Sequence, residues 1–356
     1  MAPASSLINH RYLRFSGWYK ISINMAQGLV LVSGSPLIGS PITYQVQADV
    51  VSGKTAFHRV KLTVKCSLST SSRQMSLTLS SPAESGEVLK FDISSALRAA
   101  ADEYEYTPYP QSSYPTVSYS LEAVDEYMQN GEVHDNVGKV TSSGGTCYLG
   151  AFSDYERLVS GGNRSMPSSF TRKPNTMPEV VAKGEKIVIP GSSSGCSEYS
   201  ASVEGLQTIG GRQFFVLPAN TPDRYEFRFV NGLGVLESIS VRSLAQESMN
   251  VTQETFIRAV QETFGSFSRG IVTKNNDYDM WKLSSGPLDK AWQAWFMHEF
   301  LMCKFSWVNV GEVWLPCHIV PEETVAGVDR TQPSLREVQF TVRFDLNGSV
   351  LPELAV

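Results

Sequence analysis

A chain of 356 residues is long enough for two or three domains, each with its own core. With 42% hydrophobic and only 18% charged residues, it is globular with a weakly charged, Ser/Thr-rich surface, which excludes a disordered chain. A net charge of −5 and no sustained Lys/Arg stripe leave no footprint for a phosphate backbone, so nucleic acid is not an expected partner.

The first half predicts short strands in RYLRFSGWYKISI, GLVLVSG, ITYQVQADV, AFHRVKLTVKCSLS, QMSLTLSS and GEVLKFDIS, the pattern of an antiparallel sandwich or barrel. One short helix, ISSALRAAADEYE, interrupts them, with Asp92 available as its cap and Pro108 beyond its end. After YTPYPQSSYP come VSYSLEAVDEYM and TCYLGAF. The stretch from Ser160 to Gly184 is then rich in Pro, Ser, Gly and Asn and contains a boundary. The expected organisation is an N-terminal β-rich domain over 1–162, a linker or extended loop over 163–185 that contributes little to either core, and a C-terminal β-rich domain over 186–356.

The second half restarts in EKIVIP, CSEYSASVEGL and RQFFVLP. It then reads FVNGLGVL at 229–236, where Gly-x-Gly follows a strand. A phosphate loop needs a helix behind the glycines, because its free N–H groups hold the anion. Here VLESISVRS follows at strand spacing, so a hairpin is expected. A four-residue loop, Asn231 to Gly234, sets Arg228 against Glu237 and gives both glycines positive-φ positions. NVTQETFIRAVQETFGSF fits helical and extended readings alike. PLDKAWQAWFMHEFLMCK predicts an amphipathic helix near 287–303, with Pro287 in its first turn and an apolar face of Leu288, Trp292, Trp295, Phe296 and Phe300. KFSWVNV, EVWLPCHIV and EVQFTVRFDL close the chain as strands.

No apolar run reaches bilayer length, and MAPASSLINHRYLRFSGWYK lacks the apolar core of a signal peptide, so synthesis in the cytosol is expected, with retention there or release by lysis. Cys66, Cys147, Cys196, Cys303 and Cys317 are scattered and odd in number, which predicts free thiols. The sequons at Asn163, Asn250 and Asn347 carry little weight without a secretory route.

The candidates for chemistry each meet a structural objection. GSSSG at 191–195 matches the nucleophile elbow, with Ser193 as nucleophile and His298 or His318 plus Asp277, Asp279 or Asp289 as partners, but strand spacing follows the serine where a helix is required. His298, Cys303, Cys317 and His318 suggest zinc, yet the first two diverge on a helix and the last two point to opposite faces of a strand. Asn275, Asp277 and Asp279 open like a calcium loop, but Met280 replaces the loop glycine and Gly286 the closing glutamate, so a polar turn is expected. Trp281, Trp292, Trp295, Trp307 and Trp314 are candidates for stacking on sugars, with Trp292 and Trp295 assigned to core and the others to partial exposure. Tyr104, Tyr106, Tyr109 and Tyr114 are the surface candidates for recognition or subunit contact. No catalytic, cofactor or metal residue is therefore assigned, and no cofactor is expected.

The run YEFRFVNGLGVLESISV, AWQAWFMHEFLMCKFSWV, EVWLPCHIV and REVQFTVRFDL resembles virion proteins from the tails of bacteriophages and prophages of gut Bacteroidetes. SPITYQVQAD, AFHRVKLTV and VLKFDISSAL in the first half fit the same resemblance. It implies a non-enzymatic structural subunit of the tail tip or baseplate, made in the host cytoplasm and carried in the virion, with copies of itself and other virion proteins as partners. The expected class is mainly β, with two antiparallel sandwich or barrel-like domains, the second containing the helix. A carbohydrate- or receptor-binding module and a serine hydrolase using Ser193 are the alternatives.

Overall fold

The computed structural model describes residues 28–52, 55–159, 168–192, 195–219, 221, 223–258, 269–320 and 336–344, with backbone alone at 55, 244–258, 269–279 and 336. The protein is mainly β, as expected, with antiparallel sheets, a closed six-strand barrel and, among the described residues, only short helices.

In the first half, β1 (Val30–Ser33), β2 (Thr43–Gln47) and β5 (Val88–Asp92) form one sheet. A second sheet is built from β3 (Thr55–Leu68), β4 (Gln74–Pro82), β6 (Thr116–Gln129) and β7 (Glu132–Tyr148), in the order β4-β3-β6-β7. Alternation along VKLTVKCSL points Val60, Leu62, Val64, Cys66 and Leu68 inward, where they meet Tyr44 and Val46 of β2. The helix α1 (Ser94–Ala101) adds Ala96, Leu97 and Ala100 to this core. The expected cap, Asp92, falls one residue early: Ile93 is the N-cap and has no side-chain cap hydrogen bond, while Asp92 accepts from the Ser94 N–H at 3.0 Å and from the Ile42 N–H at 3.2 Å, tying the helix start to the chain before β2. A short exposed helix, α2 (Asp154–Val159), ends this part of the described chain.

The middle of the chain forms two small sheets. β9 (Lys186–Pro190) pairs with β10 (Cys196–Ser200), and β12 (Arg212–Leu217) lies between β11 (Gly205–Ile209) and β8 (Glu179–Ala182), the last pair being parallel.

The barrel runs β13 (Arg224–Val230), β14 (Leu236–Arg258), β15 (Arg269–Leu288), β18 (Arg336–Phe344), β17 (Val313–Val320) and β16 (Ser306–Val310), closing where Phe227 of β13 pairs with Val308 of β16. Phe227, Phe229, Ile239, Val241, Leu283, Phe340 and Val342 fill its interior. The helix expected over 287–303 is shorter. It consists of α3 (Lys290–Trp295) and a π-helical turn, Phe296–Phe300. Pro287 and Leu288 instead continue β15, paired with Glu337 and Arg336, and Asp289 caps the helix by accepting from the Trp292 N–H at 2.9 Å. Its face is the expected one: Trp292, Trp295, Phe296 and Phe300 are buried in the barrel core, with the Phe300 ring 5.1 to 5.6 Å from those of Phe229, Phe340 and Phe227. Burying each such ring contributes about 1.5–3 kcal/mol.

Three expectations change. The turn after β13 runs from Asn231 to Val235, one residue longer than expected, so Arg228 opposes Ser238 rather than Glu237. Asn231 sets that length, because its side-chain oxygen accepts from the Leu233 and Val235 N–H groups at 3.0 and 3.3 Å. Only Gly234 has positive φ, at 79°. At Gly232 a Cβ would lie 2.8 Å from Nη1 of Arg172, so that side chain would have to shift.

Second, the Asn275–Asp279 stretch is strand, not turn, and pairs with Met249–Gln253 of β14. The doubtful segment ahead of it is strand as far as Arg258. Third, parts of the linker contribute to a core, although Ser168, Asn175, Thr176, Lys183 and Gly184 are exposed. Phe170 is fully buried with Leu37, Tyr114, Phe152, Leu233 and Val235, residues drawn from both halves of the chain. An aromatic in a Ser/Pro-rich stretch is a packing residue, and the composition of its neighbours masks it. The N-terminal segment RYLRFSGWYKISI lies outside the described residues.

Candidate functional site

Of the residues singled out for chemistry, the structure brings Cys303 and Cys317 together beside the Ser306 hydroxyl, which lies 3.6 Å from the Cys317 Sγ. Ser193 lies outside the described residues, but the strands around it, β9 and β10, form an antiparallel hairpin with no helix following the serine. Asp289 is occupied as the helix cap. Asp277 and Asp279 are described in backbone only, and Asn163 and Asn347 lie outside. On β17, Cys317 faces the barrel core and His318 is exposed, as adjacent strand positions require, while His298 is exposed on the π-helical turn. All five cysteines are free, and burial pushes the Cys303 and Cys317 thiols up to about 12, far from a reactive thiolate.

The aromatic candidates are mostly structural. Trp292 and Trp295 are core, as expected. Trp307 is buried too, contrary to its expected exposure, because both faces of the short strand β16 are covered. Trp281 lies between the rings of Tyr225 and Phe344, and Trp314 carries the Arg228 guanidinium 4.1 Å from its ring centre. The tyrosine loop is largely turned inward: Tyr114 is buried and donates to the Gly191 and Gly195 carbonyls, both at 2.9 Å. Tyr106 donates to the Gly234 carbonyl at 3.2 Å, and only Tyr109 is fully at the surface. A run of Tyr and Pro reads as exposed loop, yet the Tyr106 and Tyr114 hydroxyls give otherwise apolar rings a partner at a seam.

That seam is the main polar feature of the protein. Arg172 binds Glu156 of α2 at 2.7 Å and Glu299 of the π-helical turn at 2.5 Å, and Glu299 accepts from the Gly232 N–H at 2.6 Å. The Ala151 N–H donates to the Gly232 carbonyl at 2.9 Å, so the 231–235 turn docks directly on the end of the first half. Contact is close: a Cβ at Gly150 would lie 2.2 Å from the backbone of Leu233. Next along the chain, Lys173 is buried against Glu179 at 2.5 Å and donates to the Ser238 carbonyl at 2.7 Å, with its ammonium 5.1 Å from the Trp295 ring centre.

Glu237 is also buried and accepts from Thr171 at 2.5 Å and from Asn231 at 3.1 Å. Burial raises its pKa, opposed by the charge of Lys173. Across β9 and β10, Arg228 donates to the Pro108 carbonyl at 2.7 Å and to Glu198 at 2.8 Å. Burial pushes the Glu185 carboxyl up to about 7, beside the Ser240 hydroxyl at 3.0 Å. Each of these groups has an ion-pair or hydrogen-bond partner within the chain, so the seam holds regions together.

The barrel also extends into two strands whose outer edges have no strand partner among the described residues. β13 pairs with β14 only as far as Arg242, and β18 pairs with β15 only from Met280 onward. Beyond those pairs β14 and β15 continue together to Arg258 and Arg269, paired only with each other among the described residues. At about 3.3 Å per residue this ribbon extends roughly 40 Å. Among the described residues no helix is long and apolar enough to cross a membrane, and no group of three or more His, Cys, Asp or Glu forms a metal site. The chain matches no model of a known protein family and no curated protein.

Proposed function

We propose that this chain is a structural subunit of a phage virion, at the tail tip or baseplate, assembling with copies of itself and with other virion proteins. The ribbon of β14 and β15 carries the reading. An isolated two-stranded ribbon is at best marginally stable in water, and each outer edge presents a row of backbone N–H and C=O groups that another chain can pair with. A surface poor in charge favours the same role, since closely packed copies then have few ions to desolvate. The seam fixes the barrel to the rest of the chain, which gives the ribbon a rigid base.

The test replaces residues 250–278 by an Asn-Gly turn between the paired Met249 and Asp279. Electron microscopy of the full chain is expected to show rings or another regular assembly. The trimmed chain is expected to unfold as cooperatively as before and to form none. Unchanged assembly of the trimmed chain would remove the ribbon from the account.

A further inference from the structure

We propose that the outer face of the four-strand sheet holds a self-association site, in which Phe57 of each of two copies enters an apolar groove on the other. The proposal rests on the reading that the chain assembles, and it names a face separate from the ribbon. Ala56 of β3 pairs with Met128 of β6 and Arg59 with Glu126, so Phe57 and His58 together stand opposite Tyr127. That is a β-bulge. His58 turns inward from it, with Nε2 2.8 Å from the buried carboxylate of Asp125, and its carbonyl accepts from the Ala83 N–H at 2.9 Å. Phe57 is thereby held outward, 81% exposed, at a φ of 55° that a bulky residue seldom adopts. A large apolar side chain kept in solvent on a strained backbone is a cost to the monomer, and contact with a partner offsets it.

Beside this knob is a hole. A groove of about 510 Å³ has an apolar lining that includes Phe57 itself, Pro82, Tyr127, Met128 and Val133, with the Arg59–Glu126 pair also in its wall. Its size accommodates an aromatic side chain and the residues around it. A knob next to a matching hole on one surface is what a two-fold contact requires, because each copy then supplies both parts. The charges around the groove fit the same occupant. Arg59 and Lys61 meet Glu126 at 2.6 and 2.5 Å, and Lys65 and Lys139 meet Glu122 at 3.3 and 3.0 Å, so both signs alternate over the face. A face of mixed sign can meet its own two-fold copy without net repulsion, whereas a nucleic acid or anionic membrane calls for one sign.

The experiment uses two variants of the full chain. Phe57→Gly removes the knob and suits the positive φ, so its unfolding midpoint should equal or exceed the parent's while its self-association weakens tenfold or more. Phe57→p-benzoylphenylalanine, irradiated as a mixture of isotopically light and heavy chains, should give light-to-heavy crosslinks mapping to Tyr127, Met128 or Val133. Crosslinks to another surface, or only within one chain, would overturn the proposal, as would a Phe57→Gly variant that assembles like its parent. A parent that stays monomeric at every concentration would overturn the assembly reading as well. Phe57-dependent pairing in a chain whose assembly ignores the ribbon would leave this site standing and remove the ribbon.

Discussion

Inside the barrel, Phe227 and Phe229 meet Phe300, Phe340 and Trp295 ring to ring; on the outside, between those two residues on the same strand, Arg228 meets Glu198, the Pro108 carbonyl and the face of Trp314. Both faces of β13 are buried, but by different physics. The interior gains from area and packing, is insensitive to direction, and tolerates substitutions that conserve volume. The exterior carries charges that are acceptable only while their partners stay in place, so losing one partner costs more than losing both. The barrel core makes the domain stable, and the seam decides how its neighbours sit on it.

The interior half of this comparison predicts the largest effect. Phe300→Ala should cost about 3–5 kcal/mol in denaturant unfolding, through lost burial and the cavity left among four rings. A loss below 1 kcal/mol would show that the π-helical turn does not pack as described.

The seam should answer differently. Lys173→Met alone should cost about 3 kcal/mol by stranding Glu179, while Lys173→Met with Glu179→Leu should recover most of that loss. A double variant as unstable as the single one would mean that the ion pair itself, and not the orphaned charge, sets the cost.

Glu185 makes the same point through pH. Its folded pKa of about 7 lies above the ordinary 4.5, so between those values the folded state keeps a proton that the unfolded state has released. Its contribution is complete below 4.5, declines as pH rises, and is gone above about 7. The full difference is on the order of 3 kcal/mol. Urea unfolding at pH 5 and pH 8 should therefore show a fall that Glu185→Gln removes. An equal fall in the variant would assign the pH dependence to other groups, such as Glu226 or Glu237, which burial also raises.

The smallest effect belongs to the docking turn. Gly234→Ala meets both a φ of 79° and a backbone nitrogen of Gly150 at 2.7 Å, and should cost about 1–3 kcal/mol. Gly211→Ala, with a similar φ of 81° but nothing within 4 Å, serves as the control for strain alone. Equal losses would mean that close approach to Gly150 adds nothing.

The two regions were unequally legible in the sequence for the same reason. Alternation along β3 and the apolar face of α3 announce buried residues directly, and the structure places Leu62, Val64, Trp292 and Trp295 as that pattern requires. Arg228, Glu237 and Lys173 announce solvent, because a charge in a strand or loop carries no mark of the partner that will cover it. β13 therefore reads as half-exposed and is buried on both faces. Polar strands fail for a related reason: EVHDNVGKVTSSGG within β7 lies at a sheet edge, with few apolar side chains to set a period. The 231–235 turn was legible as a hairpin, but its length depended on the Asn231 side chain. The clue to Phe57 lay in register, which spacing along one strand does not reveal.

Sedimentation of the purified chain over a hundredfold range of concentration tests the central claim most directly. The account predicts one defined species with the mass of several chains, reduced toward the monomer when residues 250–278 are replaced by a tight turn. A chain that sediments as a monomer throughout would contradict it.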